Sequence, residues 1–292
     1  EAAYGQEGSH SGCNSGDTGK AALEGFKDVP GTEIMVFYPE EGVSDMQKRQ
    51  MVTQEGENVT VCAVKGNFDD CQSGVKKIFT DHEVLNALDN GNMTFSSANS
   101  INWGRLVPQI VYYVSSYVSL AESGEIAYGD KLNVVVPTGN FGNILAAYYA
   151  KQMGVPIGKL ICASNINKVL TDFIRTGVYD RNRQFYATTS PSMDILISSN
   201  LERLLYLLTG EDDAQVREWF TALAESGRYE VTDAVKAKMS ELFYGGFCDD
   251  AATKQPSQRS TRSTAIPAIP IPQLLSRSTR TTARRLATLP KL

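Results

Sequence analysis

Pro137-Thr138-Gly139-Asn140-Phe141-Gly142-Asn143 stands between an apolar β-branched run, LNVVV, and an alanine-rich stretch, NILAAYYAKQM. A strand turning directly into a helix leaves the first helical N–H groups unpaired, at the end where the helix dipole is positive. Two glycines allow positive φ and close approach of the backbone to a ligand. That combination makes a phosphate cradle, to which Asn140 and Asn143 can add side-chain donors. Asn143 is equally a candidate N-cap, and a Gly-Asn turn with a capping Asn and no ligand has the same composition.

Two further loops carry the same kind of chemistry. Ser15-Gly16-Asp17-Thr18-Gly19-Lys20 precedes AALEGF, a helix-forming stretch. Small hydroxyl residues and glycine before a helix suit a carboxylate or a phosphate, and Ser15 or Asp17 could instead simply cap the helix. A nucleotide-triphosphate loop is discounted, because Asn14 stands where its first Gly belongs and Ala21 where its Mg²⁺-binding hydroxyl belongs. The third loop, FSSANSINWGR (residues 95–105), gathers Asn99, Ser100, Asn102 and Arg105 at the start of a long helical pattern. Arg105 offers a bidentate grip on a phosphate-bearing substrate; ordinary capping of a solvated helix start is the plainer reading.

Alternating strands and helices must position these loops. Ile34–Tyr38, Val59–Lys65, Leu132–Val136 and Leu160–Ala163 read as strands from their apolar, β-branched content. Lys20–Lys27, Asp69–Thr80, Trp103–Ser123 and Asn143–Met153 read as helices, with 195–245 helical as well. The alternation predicts a mostly parallel sheet flanked by helices, binding its ligand outside the carboxyl ends of the strands.

Composition narrows the partners. The 292 residues are 42% hydrophobic and 21% charged, which excludes a fully disordered chain. The longest apolar runs fall short of a membrane span, and no signal peptide is expected. Five scattered Cys without CxxC, and two His without ligand spacing, point to reduced thiols in a cytoplasmic protein and to no metal. Net charge is −5, yet residues 251–292 hold eight basic side chains and no acidic one, leaving residues 1–250 at −13. An acidic body argues against nucleic-acid binding, and the tail reads as a basic arm, as disorder, or as an artefact taken up below.

In this order and context, SGDTGKAALEGF, SSANSINWGRLVPQ and VPTGNFGNILAAYYA resemble threonine synthase, and CASNINKVLTDF, SPSMDILISSNLERLL and FYGGFCDD extend the likeness over roughly residues 15–250. The resemblance implies a fold-type-II pyridoxal-phosphate enzyme, α/β and tryptophan synthase β-like, with two lobes and the cofactor between them. It implies conversion of O-phospho-L-homoserine and water to L-threonine and phosphate. Gly139, Asn140, Phe141, Gly142 and Asn143 would then hold the pyridoxal 5′-phosphate; Ser15, Gly16, Asp17, Thr18 and Gly19 the substrate carboxylate; and Asn99, Ser100, Asn102 and Arg105 the substrate phosphate. Residues 15–100 would be a remnant of the smaller lobe and 101–250 the larger, cofactor-binding lobe. No partner beyond the small-molecule substrate is implied.

Both ends depart from that family. Its Schiff-base lysine lies upstream of SGDTG, whereas no lysine precedes Ser15 here and Lys20 follows the motif, so this chain alone is expected to be inactive. Read from each codon's second base, Gly8–Asn14 permits Val-Val-Ile-Leu-Val-Ala-Thr, an apolar strand leading into SGDTG. Read from each third base, Ala268–Leu275 permits Asp-Pro-His-Thr-Ala-Val-Ala, which resembles the family's C-terminal motif, with its Thr as partner of the cofactor ring nitrogen. Residues 1–14 and 251–292 are therefore read as out-of-frame segments, an idea that fails if the shifted frame opens on a stop codon.

Overall fold

A computed structural model describes residues 7–13, 16–40, 43, 45–66, 68–251 and 253. The chain divides into two compact units, Glu1–Arg105 and Leu106–Leu292. The tail beyond 253 lies outside the described residues, and with it the out-of-frame reading of that end.

The first unit runs β1 (Glu7–Cys13), α1 (Gly16–Phe26), β2 (Thr32–Pro39), α2 (Asp45–Val52), β3 (Val59–Val64), α3 (Phe68–Thr80), α4 (His82–Asn90) and β4 (Met93–Ser97). Its strands form one parallel sheet ordered β3-β2-β1-β4. α3 packs on β1 and β2, and α1 packs on β2 and α2. The core gathers Leu23, Ile34, Val36, Tyr38, Met51 and Ala98. Ile34–Tyr38 reads in sequence as a strand buried on both faces, but only Ile34, Val36 and Tyr38 are buried, and Met35 is 36% exposed. The alternation shows a sheet with one well-covered face.

β1 was not expected as regular structure, because Glu-Gly-Ser-His-Ser-Gly-Cys has no strand character. It nonetheless occupies an inner place in the sheet, with His10 in register with Ile34 and Gly12 with Val36. β4 was missed too, a five-residue segment with two serines and one apolar alternation.

In the second unit, α5 (Trp103–Glu122) leads into β5 (Leu132–Pro137), α6 (Gly142–Gln152), β6 (Ile157–Ser164), α7 (Val169–Thr176), β7 (Val178–Asp180), α8 (Leu201–Thr209), α9 (Asp213–Ser226), β8 (Arg228–Glu230), α10 (Asp233–Leu242) and β9 (Phe243–Phe247). β5, β6 and β9 form a parallel sheet with β6 in the middle. Leu160, Ile161, Cys162 and Ala163 on β6 are all within 1% of full burial, as a central parallel strand requires. Burial pushes the Cys162 thiol up to about 11, which marks it as packing rather than a nucleophile.

The 195–245 region is less helical than its sequence suggests. α8, α9 and α10 end or begin at Gly210, Asp212, Gly227 and Thr232, with both glycines left-handed. β8 and β9 interrupt them, and residues 195–200 are irregular. β7 and β8 pair antiparallel, stacking Tyr179 on Tyr229 with ring centroids 5.3 Å apart. Among the described residues, no helix is long and apolar enough to cross a membrane, and no group of His, Cys, Asp or Glu could hold a metal.

Burial raises the phenol pKa of Tyr113, Tyr179 and Tyr229. The fold keeps them neutral where the unfolded chain ionises, so their contribution is complete below about pH 10 and is lost as pH rises past it. In an alkaline titration followed by phenolate absorbance, the three buried phenols should ionise in one late step that coincides with loss of the near-UV circular dichroism. A single smooth titration of all tyrosines would contradict this.

Candidate functional site

The pairing of β5 with β6 runs one residue past the strand, because the Thr138 amide donates to the Ala163 carbonyl at 2.9 Å. The chain then turns into α6 within three residues. Phe141 is the N-cap, with φ 66° and ψ 2°, in the left-handed region. Sequence reasoning assigns positive φ to the glycines, but neither Gly139 nor Gly142 adopts it. The non-glycine cost of about 1–2 kcal/mol falls on Phe141. Its ring is 1% exposed, 5.8 Å from that of Phe243, and the burial offsets that cost. Gly139 serves by lacking a side chain: a Cβ there would lie 2.6 Å from the Ser192 carbonyl oxygen.

The two asparagines act differently from expectation. Asn140 turns its Oδ1 back to accept the Gly142 amide at 3.0 Å. Asn143 is not the N-cap but the second residue of α6. Its side chain is occupied by α5: Tyr113 donates to its Oδ1 and, at 3.0 Å, to its carbonyl, while its Nδ2 donates to Gln109 Oε1 at 3.2 Å. The backbone remains available. Among the described residues, no protein acceptor pairs with the amides of Gly139, Phe141, Asn143 or Ile144. Those donors cluster at the positive end of an eleven-residue helix, where a dianion fits.

A segment that sequence reasoning passed over closes around this turn. Ser198 Oγ donates to the Gly139 carbonyl at 2.7 Å. Asn200 donates to the Asn140 carbonyl from its amide at 3.0 Å and from Nδ2 at 3.1 Å. Between them, Ser199 Oγ is a buried oxygen with no partner among the described residues. No local spacing announces these contacts, since their targets are carbonyls about sixty positions away.

Asp194 anchors the same segment. Its carboxylate accepts from Asn165 Nδ2 at 2.6 Å, Asn167 Nδ2 at 3.0 Å, and the Thr188 amide and hydroxyl, both at 2.8 Å. Desolvation raises its pKa while these donors oppose the rise. Asp194→Ala strands several part-buried donors at once and should destabilise the second unit by about 2–4 kcal/mol, read by urea unfolding. A change under about 0.5 kcal/mol would show that water replaces the carboxylate fully.

In the first unit, Gly16–Gly19 of the SGDTG motif lie in the first turn of α1 rather than in a loop before it. Ser15 lies outside the described residues, as do the side chains of Asp17 and Thr18, so both proposed caps do as well. Gly16 opens the helix and Gly19 is buried. Lys20 pairs with Glu24 at 2.8 Å and also reaches Gln54.

The FSSANSINWGR loop brings Asn99, Ser100, Asn102 and Arg105 together between β4 and α5. Asn99 Oδ1 accepts the Ile101 amide at 3.1 Å, and Asn102 Oδ1 the Gly104 amide at 2.9 Å, capping α5. Asn102 Nδ2 donates to the Ser97 carbonyl at 3.0 Å, and the Arg105 guanidinium to the Ala98 carbonyl. Ser100 is 8% exposed. These bonds fold the loop on itself, which is the capping alternative.

Known proteins place the fold. No family model matches the chain. It is 47% identical over 245 residues to threonine synthase-like 1 of Homo sapiens, covering 82% of this chain and 33% of that protein. It is 41% identical over 241 residues to threonine synthase of Saccharomyces cerevisiae, covering 80% and 45%. The crystal structure of pyridoxal-phosphate-bound threonine synthase from Brucella melitensis superposes with a TM-score of 0.83 at 38% identity, over 94% of this chain and 57% of that one. The chain thus spans about a third to a half of the length of these curated relatives. Over the span it shares with them, the chain belongs to the threonine synthase family and has its fold-type-II architecture.

Proposed function

We propose that this chain carries the pyridoxal 5′-phosphate cradle and substrate loops of a threonine synthase, for conversion of O-phospho-L-homoserine and water to L-threonine and phosphate. One observation carries the reading: the amides of Gly139, Phe141, Asn143 and Ile144, at the N-terminus of α6, have no protein acceptor among the described residues. The cofactor, when bound, supplies an electron sink for charge developing on the substrate. The chain's own residues bind and orient. The 139–143 turn holds the cofactor phosphate. Ser15, Gly16, Asp17, Thr18 and Gly19 take the substrate carboxylate. Asn99, Ser100, Asn102 and Arg105 neutralise the departing phosphate, with Arg105 the only fixed positive charge of that loop.

Residues 15–100 are assigned to the smaller lobe and 101–250 to the cofactor lobe. The 292-residue chain by itself is assigned no turnover. No lysine precedes Ser15, and Lys20 is engaged by Glu24. Purified chain should bind pyridoxal 5′-phosphate reversibly, in competition with inorganic phosphate. It should keep no cofactor after borohydride reduction, and release no phosphate from O-phospho-L-homoserine. Binding unaffected by phosphate would overturn the cradle. Cofactor fixed to Lys20, with phosphate released, would overturn the assignment of no turnover.

Identity of 47% to a protein named threonine synthase-like, against 41% to the yeast threonine synthase, favours one second reading. In it the same loops serve another phospho-lyase outcome. Product analysis on a chain extended to include an upstream lysine separates the two.

A further inference from the structure

We infer that Ser198 and Asn200 are positioning residues that aim the amides of the 139–143 turn, and through them set selectivity for a phosphate-bearing ligand. The inference rests on the phosphate reading of that turn. In a trans peptide the carbonyl and the following N–H point in opposite directions. Ser198 Oγ holds the Gly139 carbonyl at 2.7 Å, so the Asn140 N–H is turned to the far side. Asn200 holds the Asn140 carbonyl with two donors, at 3.0 and 3.1 Å, so the Phe141 N–H is turned the same way. Two successive peptides are thereby fixed by their oxygens, which sets the direction of the Phe141 amide at the N-terminus of α6.

The grip is built to be rigid. Ser198 is 2% exposed and Asn200 is fully buried, so water does not compete for these bonds. The Ser198 amide donates to Tyr179 Oη at 3.0 Å, and that hydroxyl donates to the Leu196 carbonyl at 2.9 Å. Arg203 donates to Asn200 Oδ1 at 2.7 Å, which orients the side-chain amide with Nδ2 toward Asn140. Gly139 completes the arrangement, because a Cβ there would strike the Ser192 carbonyl oxygen. Neither residue is required to touch the ligand.

The test compares pyridoxal 5′-phosphate with pyridoxal, which lacks the phosphate, on the 292-residue chain by fluorescence titration. Wild type should prefer the phosphorylated form. Ser198→Ala should weaken pyridoxal 5′-phosphate about tenfold while pyridoxal changes less than about twofold, so the preference collapses. Ser198→Thr, which keeps the hydroxyl, should restore it. Asn200→Asp, which replaces the Nδ2 donor by an oxygen, should lower the same ratio and serves if Ser198→Ala does not fold. A ratio unchanged in the folded variants, whether both affinities fall together or neither falls, overturns the positioning role. A wild-type ratio near one overturns the phosphate reading itself, which is a separate result.

Discussion

Gly139→Ala should cost the chain most of its affinity for pyridoxal 5′-phosphate. The added methyl would lie 2.6 Å from the Ser192 carbonyl oxygen, a backbone atom with no flexible end to swing aside. Overpacking of this kind costs about 1–3 kcal/mol. The second unit cannot take it up in its core, because the Asp194 network fixes the segment on one side and the β5–β6 pairing fixes Thr138 on the other. The turn itself yields, and its amides lose their common aim. A loss of up to about 100-fold in affinity corresponds to that energy. Fluorescence titration of variant and wild type measures it, with thermal unfolding alongside. Unchanged affinity in a folded variant would mean that the turn's backbone does not form the receptor.

The other large effect concerns β1. It sits between β2 and β4, yet places Gly8, His10 and Gly12 in register with Thr32, Ile34 and Val36. Ile34 and Val36 are each 1% exposed, and an inner strand of a parallel sheet is ordinarily a near-continuous apolar run. The shifted frame supplies one: Gly8→Val, Ser9→Val, His10→Ile, Ser11→Leu, Gly12→Val, Cys13→Ala and Asn14→Thr. With each aliphatic side chain worth about 1.5–3 kcal/mol on burial, the sevenfold variant should stabilise the first unit by on the order of 5 kcal/mol. Urea unfolding, with hydrogen exchange at the β2 amides as a local probe, reads this directly. A variant no more stable than the present chain would rule out both the register and the frame-shift reading of this end.

These cases also mark how far the residues alone could be read. β2, β3, β5 and β6 were legible because Ile, Val and their neighbours form short apolar runs, bounded by Pro or Gly on at least one side. β9 was not, since FYGGF carries two glycines and follows a helix without a break. Those glycines have a three-dimensional reason: a Cβ at Gly245 would come within 2.8 Å of the Thr171 carbonyl. At the candidate site, the strand–turn–helix order around Gly139–Asn143 was plain from composition. Its inner mechanics were not. Nothing in TGNFGN says that Phe141 takes the left-handed conformation, because only the pocket beside Phe243 holds it there. Likewise, Asn143 looks like a cap until Tyr113 and Gln109 claim its side chain.

Phe141 leaves inherited variation at its codon little room to drift. Glycine would relieve the backbone but empty the space beside Phe243, at about 3–5 kcal/mol for a lost aromatic ring. Asparagine would accept the dihedrals and bring an amide into an apolar enclosure. Leucine or isoleucine would fill part of the volume and keep the torsional penalty, which is greatest for a β-branched residue. None of these replacements satisfies both demands at once, since each either loses packing beside Phe243, buries a polar group there, or keeps the torsional penalty of the left-handed backbone.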